Sequence, residues 1–328
     1  MHAQIVPVEG NLEKISAAFQ EGPVAFPTET VYGLGAIAWR EDLIQKVFAV
    51  KNRPMDNPLI VHVSSLEMLR RCISGEIPKV YAELIDAFWP GPLTLLFPRS
   101  TALPDSVTAG SDFVAVRMPN HRDTLLLIDH LGEPIVGPSA NKSTRPSPTT
   151  AQHVFEDLGG EISLIVDGGS CEEGVESTVV NALCSPPLFL RPGVISYEAI
   201  QEFVPALELL SSADTASGKM SPGTRYKHYS PSAAVTMLTG SPSEIEEKIE
   251  RVREESAGLL VPERYAKKGG NLVVYSLGES AKTAAQRVFD GLRFLDRRVS
   301  KIYTAQMEVD GEGRAVMDRL TRAASHWM

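Results

Sequence analysis

The sequence is poor in the signatures that mark most recognisable chemistry. It holds three cysteines, Cys72, Cys171 and Cys184, none in a CxxC pair, so no even disulfide framework is available and a reducing compartment fits best. Its seven histidines never gather with cysteines at ligand spacing, and no protein-built metal site is expected. No apolar run approaches the ~20 residues that cross a bilayer, so no membrane contact is expected. The opening MHAQIVPVEGNLEKISAAFQ lacks a basic stretch followed by an apolar one, which argues against a secretory signal and for a cytoplasmic protein. GxxxxGK[ST] is absent, which excludes a P-loop. There is no internal repeat and no long tract of one residue type.

What the chain does have is apolar material for more than one core. Of its 328 residues, 43% are hydrophobic and 22% charged, and at ~150 residues per domain about two domains are expected. The formal net charge of -9 is uneven: residues 1–205 carry 14 Lys and Arg against 25 Asp and Glu, and the remainder 18 against 16. An acidic bulk argues against broad nucleic-acid binding driven by net charge, although it allows a local basic cleft.

Short apolar runs alternating with helical periodicity predict strands at Val24–Phe26, Pro58–Val63, Leu93–Phe97, Phe113–Met118, Pro134–Val136, Leu164–Val166, Ser177–Asn181 and Pro187–Leu190. Helices are predicted over 11–20, 42–51, 64–73, 78–88, 121–131 and 149–158. Asn11, Asp42 and Ser64 suit N-caps, with Glu67 completing a capping box on Ser64. The last three strands follow one another through short turns, so an open α/β sheet of mixed direction is expected. Order fades over 205–232, rich in Ser, Pro, Gly and Ala, which reads as a linker. Periodicity resumes as strand Ala233–Leu238, helix 243–255, strands Leu259–Val261 and Leu272–Ser276, helix 280–298, strand Ile302–Gln306 and helix 314–325, a second and smaller α/β unit.

Gly33-Leu-Gly35-Ala-Ile-Ala38 matches G-x-G-x-x-A, but Pro27 to Thr30 interrupts the strand-to-turn entry that a dinucleotide site requires. Other loops carry more chemistry. Pro27-Thr-Glu-Thr-Val-Tyr-Gly-Leu-Gly35 ends a short strand with hydrogen-bonding side chains and two glycines that let backbone approach a ligand. Lys51-Asn-Arg53-Pro-Met-Asp-Asn57 puts two cations and an amide at a helix C-terminus, where the helix dipole alone explains one cation. Pro138-Ser139-Ala-Asn141-Lys-Ser143 follows an apolar strand, where open α/β sheets carry ligand loops, and its hydroxyl and amide side chains suit phosphate or ribose. The helix opening near Thr149 offers unpaired N–H groups to an anion.

Taken in order, these loops resemble the YrdC-like family of threonylcarbamoyl-adenylate synthases. Trp89-Pro-Gly-Pro-Leu-Thr94, Ala115-Val-Arg-Met-Pro119, Glu176-Ser-Thr-Val-Val180 and Leu190-Arg-Pro-Gly193 add to the likeness, which covers residues 5–200. Ser221 to Pro231 and Gly311 to Ala324 resemble the interdomain motif and C-terminal signature of the family's two-domain branch. The resemblance implies a YrdC-like catalytic domain over 1–204 on an open twisted mixed sheet, an interdomain linker over 205–232 and a Rossmann-like domain over 233–328.

The activity implied is conversion of L-threonine, bicarbonate or CO2, and ATP to threonylcarbamoyl-AMP and pyrophosphate, for N6-threonylcarbamoyladenosine formation in tRNA. By resemblance Lys51 and Arg53 are the catalytic clamps on the triphosphate, Arg being the better bidentate partner. Asn57, Ser139, Asn141, Ser147, Arg191 and Tyr229 complete the ATP contacts. Arg117 and Ser177 take the threonine carboxylate, and Thr30 and His62 border the amino acid, although VHV within a strand also fits a satisfied histidine. Mg2+ is expected with ATP, held by substrate oxygens and water. The implied partners are downstream tRNA threonylcarbamoyl-transfer proteins, with contact to tRNA.

Arg225-Tyr-Lys-His-Tyr229 concentrates cations and rings that a plain spacer would waste, and predicts a lid hinged at Pro222-Gly223 and Ser230-Pro231. The rival reading is a double-stranded-RNA or tRNA-binding module without synthase activity, against which the acidic composition counts.

Overall fold

The structure, a computed structural model, describes residues 2–210, 229–253 and 256–328. They gather in two compact units. The first holds the described residues up to 210 except 144–147 and 173–175, and the second takes those two short segments together with the described residues from 229 onward. The linker expected over 205–232 is therefore described only at its ends. The lid assigned to Arg225–Tyr229 and its Pro222-Gly223 hinge lie outside the described residues, Tyr229 excepted.

The first unit is built on eleven strands: β1 (Gln4–Val6), β2 (Val24–Phe26), β3 (Gly33–Ile37), β4 (Ile60–His62), β5 (Leu93–Pro98), β6 (Phe113–Arg117), β7 (Ile135–Val136), β8 (Leu164–Val166), β9 (Thr178–Asn181), β10 (Leu188–Arg191) and β11 (Glu208–Leu209). Their order is β1-β8-β2-β3-β7-β4-β6-β5-β9-β10-β11. Parallel pairs (β4 with β6, β5 with β9) alternate with antiparallel ones (β3 with β7, β5 with β6), so the sheet is mixed as expected, but for a different reason. Of the last three predicted strands only β9 and β10 are neighbours, and β8 lies far away between β1 and β2. Residues 208 and 209, expected in the linker, instead pair in parallel with β10.

Helix α1 (Leu12–Glu21) buries Ile15 and Phe19, four apart on one face. Helix α2 (Glu41–Lys51) buries Leu43, Ile44, Val47 and Phe48 and ends on Asn52, whose φ of 50° makes it a left-handed cap. Asn tolerates that conformation better than most residues, and the turn redirects the chain into Arg53. The capping expectations are corrected in detail. Asp42 lies inside the first turn of α2, behind Arg40 at the cap position. Helix Leu66–Cys72 is capped by Ser65, which accepts from Met68 N at 3.1 Å, so the Ser64–Glu67 box does not form. Asn11 holds the cap position without a capping bond, its amide donating to Glu9 O instead.

The two glycines read as room for a ligand are corrected too. Gly33 and Gly35 lie within β3, and a Cβ there would meet the rings of Phe26 at 2.6 Å and Phe19 at 2.8 Å. They admit aromatic packing in the core.

The second unit is a sheet of five strands, β12 (Ala234–Leu238), β13 (Gly258–Val261), β14 (Val273–Ser276), β15 (Lys301–Ala305) and β16 (His326–Trp327), all paired in parallel in the order β14-β13-β15-β12-β16. Helix Pro242–Val252 packs Ile245, Ile249 and Val252 with Leu259, Val261 and Tyr303 on one face. Helix Ala281–Asp296 covers the other, since a Cβ on its Gly291 would meet Leu260 at 2.5 Å, and β-strand neighbours point to opposite faces. This is the alternating, two-sided α/β unit expected of a Rossmann-like domain.

Candidate active site

The register of the first sheet sets the amino-acid side of the site. His62 ends β4 directly beside Arg117, which ends β6. Partners in a parallel pair share a face. Arg117 is buried, 3% exposed, and its guanidinium reaches three partners on two loops: Nη1 donates to Thr30 Oγ1 at 2.9 Å, Nε to Gly91 O at 3.2 Å, and Nη2 lies 2.6 Å from Glu29 Oε2 as an ion pair. Glu29 Oε1 accepts from Asn120 N at 3.0 Å. Thr30 Oγ1 also meets Thr28 Oγ1 at 2.9 Å, and Thr28 donates to Val31 O, which fixes the turn that carries both hydroxyls.

His62 is buried and its Nδ1 has no hydrogen-bond partner. Loss of solvent, and then the positive charge of Arg117, pull its pKa down to about 3. The ring is therefore neutral at any working pH. Ser177, immediately before β9, shares a hydrogen bond of 2.7 Å with Thr94 Oγ1. Of the four residues expected around threonine, Thr30 and His62 thus lie beside Arg117, and Ser177 meets Thr94 of β5, the strand next to β6 in the middle of the sheet.

The loops expected around the nucleotide lie alongside. The backbone of 138–140 pairs with 32–34: Leu34 N donates to Pro138 O, Ala140 N to Tyr32 O, and Gly33 bridges Ser139. Lys51 anchors this loop from α2, donating through Nζ to Ser139 O and, at 2.6 Å, to Asn141 O. It is 2% exposed, and burial, followed by the charge of Arg53, holds its pKa well below the ordinary lysine value. Lys51, expected as a triphosphate clamp, thus ties α2 to the Ser139–Asn141 loop expected around the nucleotide. Arg53 is half-buried, donating from Nε to Asn57 O at 3.2 Å and from Nη2 to Pro58 O at 2.8 Å. Asn57 and Asn141 are buried. Ser147 and Tyr229 belong to the second unit, where Tyr229, with a φ of 63°, packs its ring 5.2 Å from that of Phe289.

Arg191, expected at the nucleotide, donates from Nη2 to Ser177 O at 2.9 Å and to Ser177 Oγ at 3.1 Å, and from Nε to Ser177 O, which ties it to the residue expected at the threonine carboxylate. The helix expected to open near Thr149 is Ala151–Leu158, and its N-terminus is capped from within: Thr150 Oγ1 accepts from His153 N at 3.2 Å, and His153 Nδ1 accepts from Thr149 N at 3.3 Å. Sequence reasoning passed over Glu29, Thr28, Thr94 and Tyr32. Tyr32 Oη donates to Gly169 O at 2.6 Å and accepts from Gly168 N, pinning the loop after β8 beside the Thr28–Thr30 turn. The signal available for Glu29 and Thr28 was their place between Pro27 and Thr30 in the loop already singled out.

Fold and site together define an α/β enzyme that holds charged small substrates among buried polar loops. The family described as "Telomere recombination" matches residues 16–193, and that described as "Threonylcarbamoyl-AMP synthase, C-terminal domain" matches residues 195–325. The chain is 42% identical to a threonylcarbamoyl-AMP synthase of Pyrococcus abyssi, covering 95% of this chain and 94% of that protein, and 41% identical to one of Schizosaccharomyces pombe, covering 92% and 85%. The crystal structure of P. abyssi Sua5 complexed with L-threonine superposes with a TM-score of 0.91 at 38% identity, covering 99% of this chain and all of that one. The chain belongs to the threonylcarbamoyl-AMP synthase family, in its two-domain form. No described helix is long and apolar enough to cross a membrane.

Proposed function

We propose that the chain joins L-threonine, CO2 or bicarbonate, and ATP into threonylcarbamoyl-AMP with release of pyrophosphate. The threonine amine adds to CO2 and loses a proton, giving a carbamate. A carbamate oxygen then attacks the α-phosphorus of ATP and the bond to pyrophosphate breaks. Bicarbonate reaches the same carbamate with loss of water. The substrates supply both nucleophile and leaving group, so the protein's work is to place them and to neutralise charge.

The observation that carries this reading is the buried Arg117, held by Thr30, Glu29 and the Gly91 carbonyl beside a neutral His62. A fixed guanidinium with flanking hydroxyls suits an amino-acid carboxylate and hydroxyl. With its pKa near 3, His62 serves as a neutral hydrogen-bond partner to threonine, because it is too weak a base to hold the amine's proton. Arg53 faces the phosphates, and Lys51 keeps the Ser139–Asn141 loop in place for the nucleoside. Mg2+ would arrive with ATP, held by substrate oxygens and water, and would neutralise phosphate charge. The product passes to proteins that transfer the threonylcarbamoyl group to tRNA.

The test is a pyrophosphate-release assay with one component withheld at a time. Release requires threonine, bicarbonate and ATP together; equal release without threonine would overturn the reading, and indifference to all three would favour an RNA-binding module.

A further inference from the structure

Two short pieces from earlier in the chain, residues 144–147 and 173–175, belong to the second unit. One helix of that unit, Ala281–Asp296, takes both. A Cβ on Gly174 would meet the backbone of Gln286 at 2.4 Å, so residues 173–175 lie close against the first half of the helix. Its last turn takes 144–147: the buried Arg293 donates from Nη2 to Pro146 O at 2.6 Å, and Asp296 Oδ2 pairs with Arg145 Nη2 at 3.3 Å.

Three features set the grip on 144–147 apart from ordinary packing. Thr144 has a φ of 78°, left-handed backbone that a β-branched residue rarely adopts and that persists only where the surroundings enforce it. Of the four such non-glycine residues among those described, Asn52 and Ala109 end helices. The other two, Thr144 and Tyr229, are joined through the residue that follows Tyr229, Ser230 N donating to Thr144 O at 2.7 Å. Asp296, in turn, ends its helix, where the last carbonyls repel a carboxylate, and its side chain is 5% exposed. That disfavoured acid holds Arg145 with one oxygen and Ala233 N, at 2.8 Å, with the other. Arg293, finally, directs a buried guanidinium onto a backbone carbonyl 147 positions away.

The place of the segment in the chain gives this grip a use. Residues 144–147 come soon after the Ser139–Asn141 loop and end on the buried Ser147, which is expected at the nucleotide. The chain is fixed on both sides, with Ser143 N donating to Lys51 O and Tyr32 N to Pro148 O, each at 2.9 Å. The conformation of the four residues between those bonds decides where Ser147 is offered, and small displacements of a substrate-positioning group are costly. We propose that Arg293 and Asp296 are positioning residues for ATP, holding 144–147 in a strained form that presents Ser147 to the nucleotide. The inference rests on the synthase reading and on Ser147 as a nucleotide contact.

Steady-state pyrophosphate release by the full chain, at temperatures where each variant is folded, tests this. Arg293→Met raises KM for ATP about tenfold, as for one lost charge-assisted bond, and leaves KM for threonine within about twofold. Arg293→Lys, whose ammonium still donates to one carbonyl, regains most of that loss. Asp296→Asn keeps an acceptor for Ala233 N and drops the ion pair; it moves KM for ATP the same way by about threefold and carries the test should Arg293→Met not fold. Hydrogen exchange without substrates reports the grip directly, peptides covering 143–150 exchanging faster in Arg293→Met. A purely structural role lowers the melting temperature and leaves the two KM values unsplit. Parental KM for ATP in folded Arg293→Met, an equal rise for both substrates, or unchanged exchange over 143–150 each overturns the proposal and leaves the synthase reading intact. Pyrophosphate release by the parent chain without threonine faults that reading instead, and the exchange measurement, which needs no substrate, keeps the two failures apart.

Discussion

The buried Arg117–Glu29 pair allows folding and binding to be separated in one experiment. Both side chains are 4% exposed and their charged atoms lie 2.6 Å apart. Arg117→Met alone strands the Glu29 carboxylate in the interior with, among the described residues, the Asn120 N–H for support, which should cost about 3–5 kcal/mol. Glu29→Gln/Arg117→Met replaces the pair by neutral groups of similar size, and exchanges of that kind are often neutral or stabilising. The lost bonds to Thr30 and Gly91 O return about 1 kcal/mol each, so the double variant should unfold within about 2 kcal/mol of the parent. Urea denaturation read on the first unit reports the first quantity and titration calorimetry with L-threonine the second. The double variant should be folded yet bind threonine roughly 10- to 150-fold more weakly, the equivalent of about 1.5–3 kcal/mol for a lost charge-assisted contact. Parental threonine affinity in a folded double variant removes Arg117 from the carboxylate. A single variant as stable as the parent removes the buried-charge argument.

His62 is held neutral in the folded protein down to about pH 3, whereas in the unfolded chain it takes up a proton below about 6.5; stability should therefore fall by up to about 1.4 kcal/mol per pH unit between those values. His62→Gln should flatten that dependence in urea melts between pH 6 and 4, and an unchanged slope would assign the effect to other groups. Lys51→Met frees the Ser139 and Asn141 carbonyls and should cost about 2 kcal/mol in stability while raising KM for ATP and leaving threonine affinity within about twofold; an effect on threonine alone refutes the loop-anchor role. Arg191→Met should loosen Ser177 and weaken threonine about tenfold at constant ATP affinity, and the converse result in calorimetry restores the nucleotide assignment.

The strands that carry the site were legible because their cores are short runs of Val, Leu, Ile and Phe, such as Phe113–Arg117. Strand β3 was not: Gly33 and Gly35 speak for a loop, and only the rings of Phe19 and Phe26 packed above them explain why glycine stands in a strand. β1, β11 and β16 were missed for another reason. They have two or three residues each, too few for any period to show, and exist because a neighbouring edge offers pairing. In the site, the residue types were readable and their connections were not. Lys51 is 88 positions from Ser139 and Arg117 is 87 from Thr30, and no local pattern says whether a lysine will meet a phosphate or a backbone carbonyl. Glu29 was overlooked because an acid beside an anionic substrate looks misplaced until its buried arginine is seen.

That apparent misplacement follows from what the site has to do. A guanidinium buried without a partner would be expelled or would draw in water, and either outcome ruins its aim. Glu29 keeps Arg117 charged and in position before substrate arrives, and it is itself fixed by the Asn120 amide. Its charge lowers the affinity of Arg117 for a carboxylate, but one face of a planar group with five donors still leaves others for the substrate. The neighbouring His62 works in the opposite sense: burial, and then the same positive charge that Glu29 tempers, hold the ring unprotonated, so the pocket does not gain a second cation that would bind threonine and the triphosphate alike. Arg191, bonded to Ser177, and Lys51, bonded to the Asn141 carbonyl, hold neighbouring loops in place. A reaction whose substrates bring their own nucleophile and leaving group gains most from fixed dipoles and a few well-held charges, and the first unit is arranged to provide them.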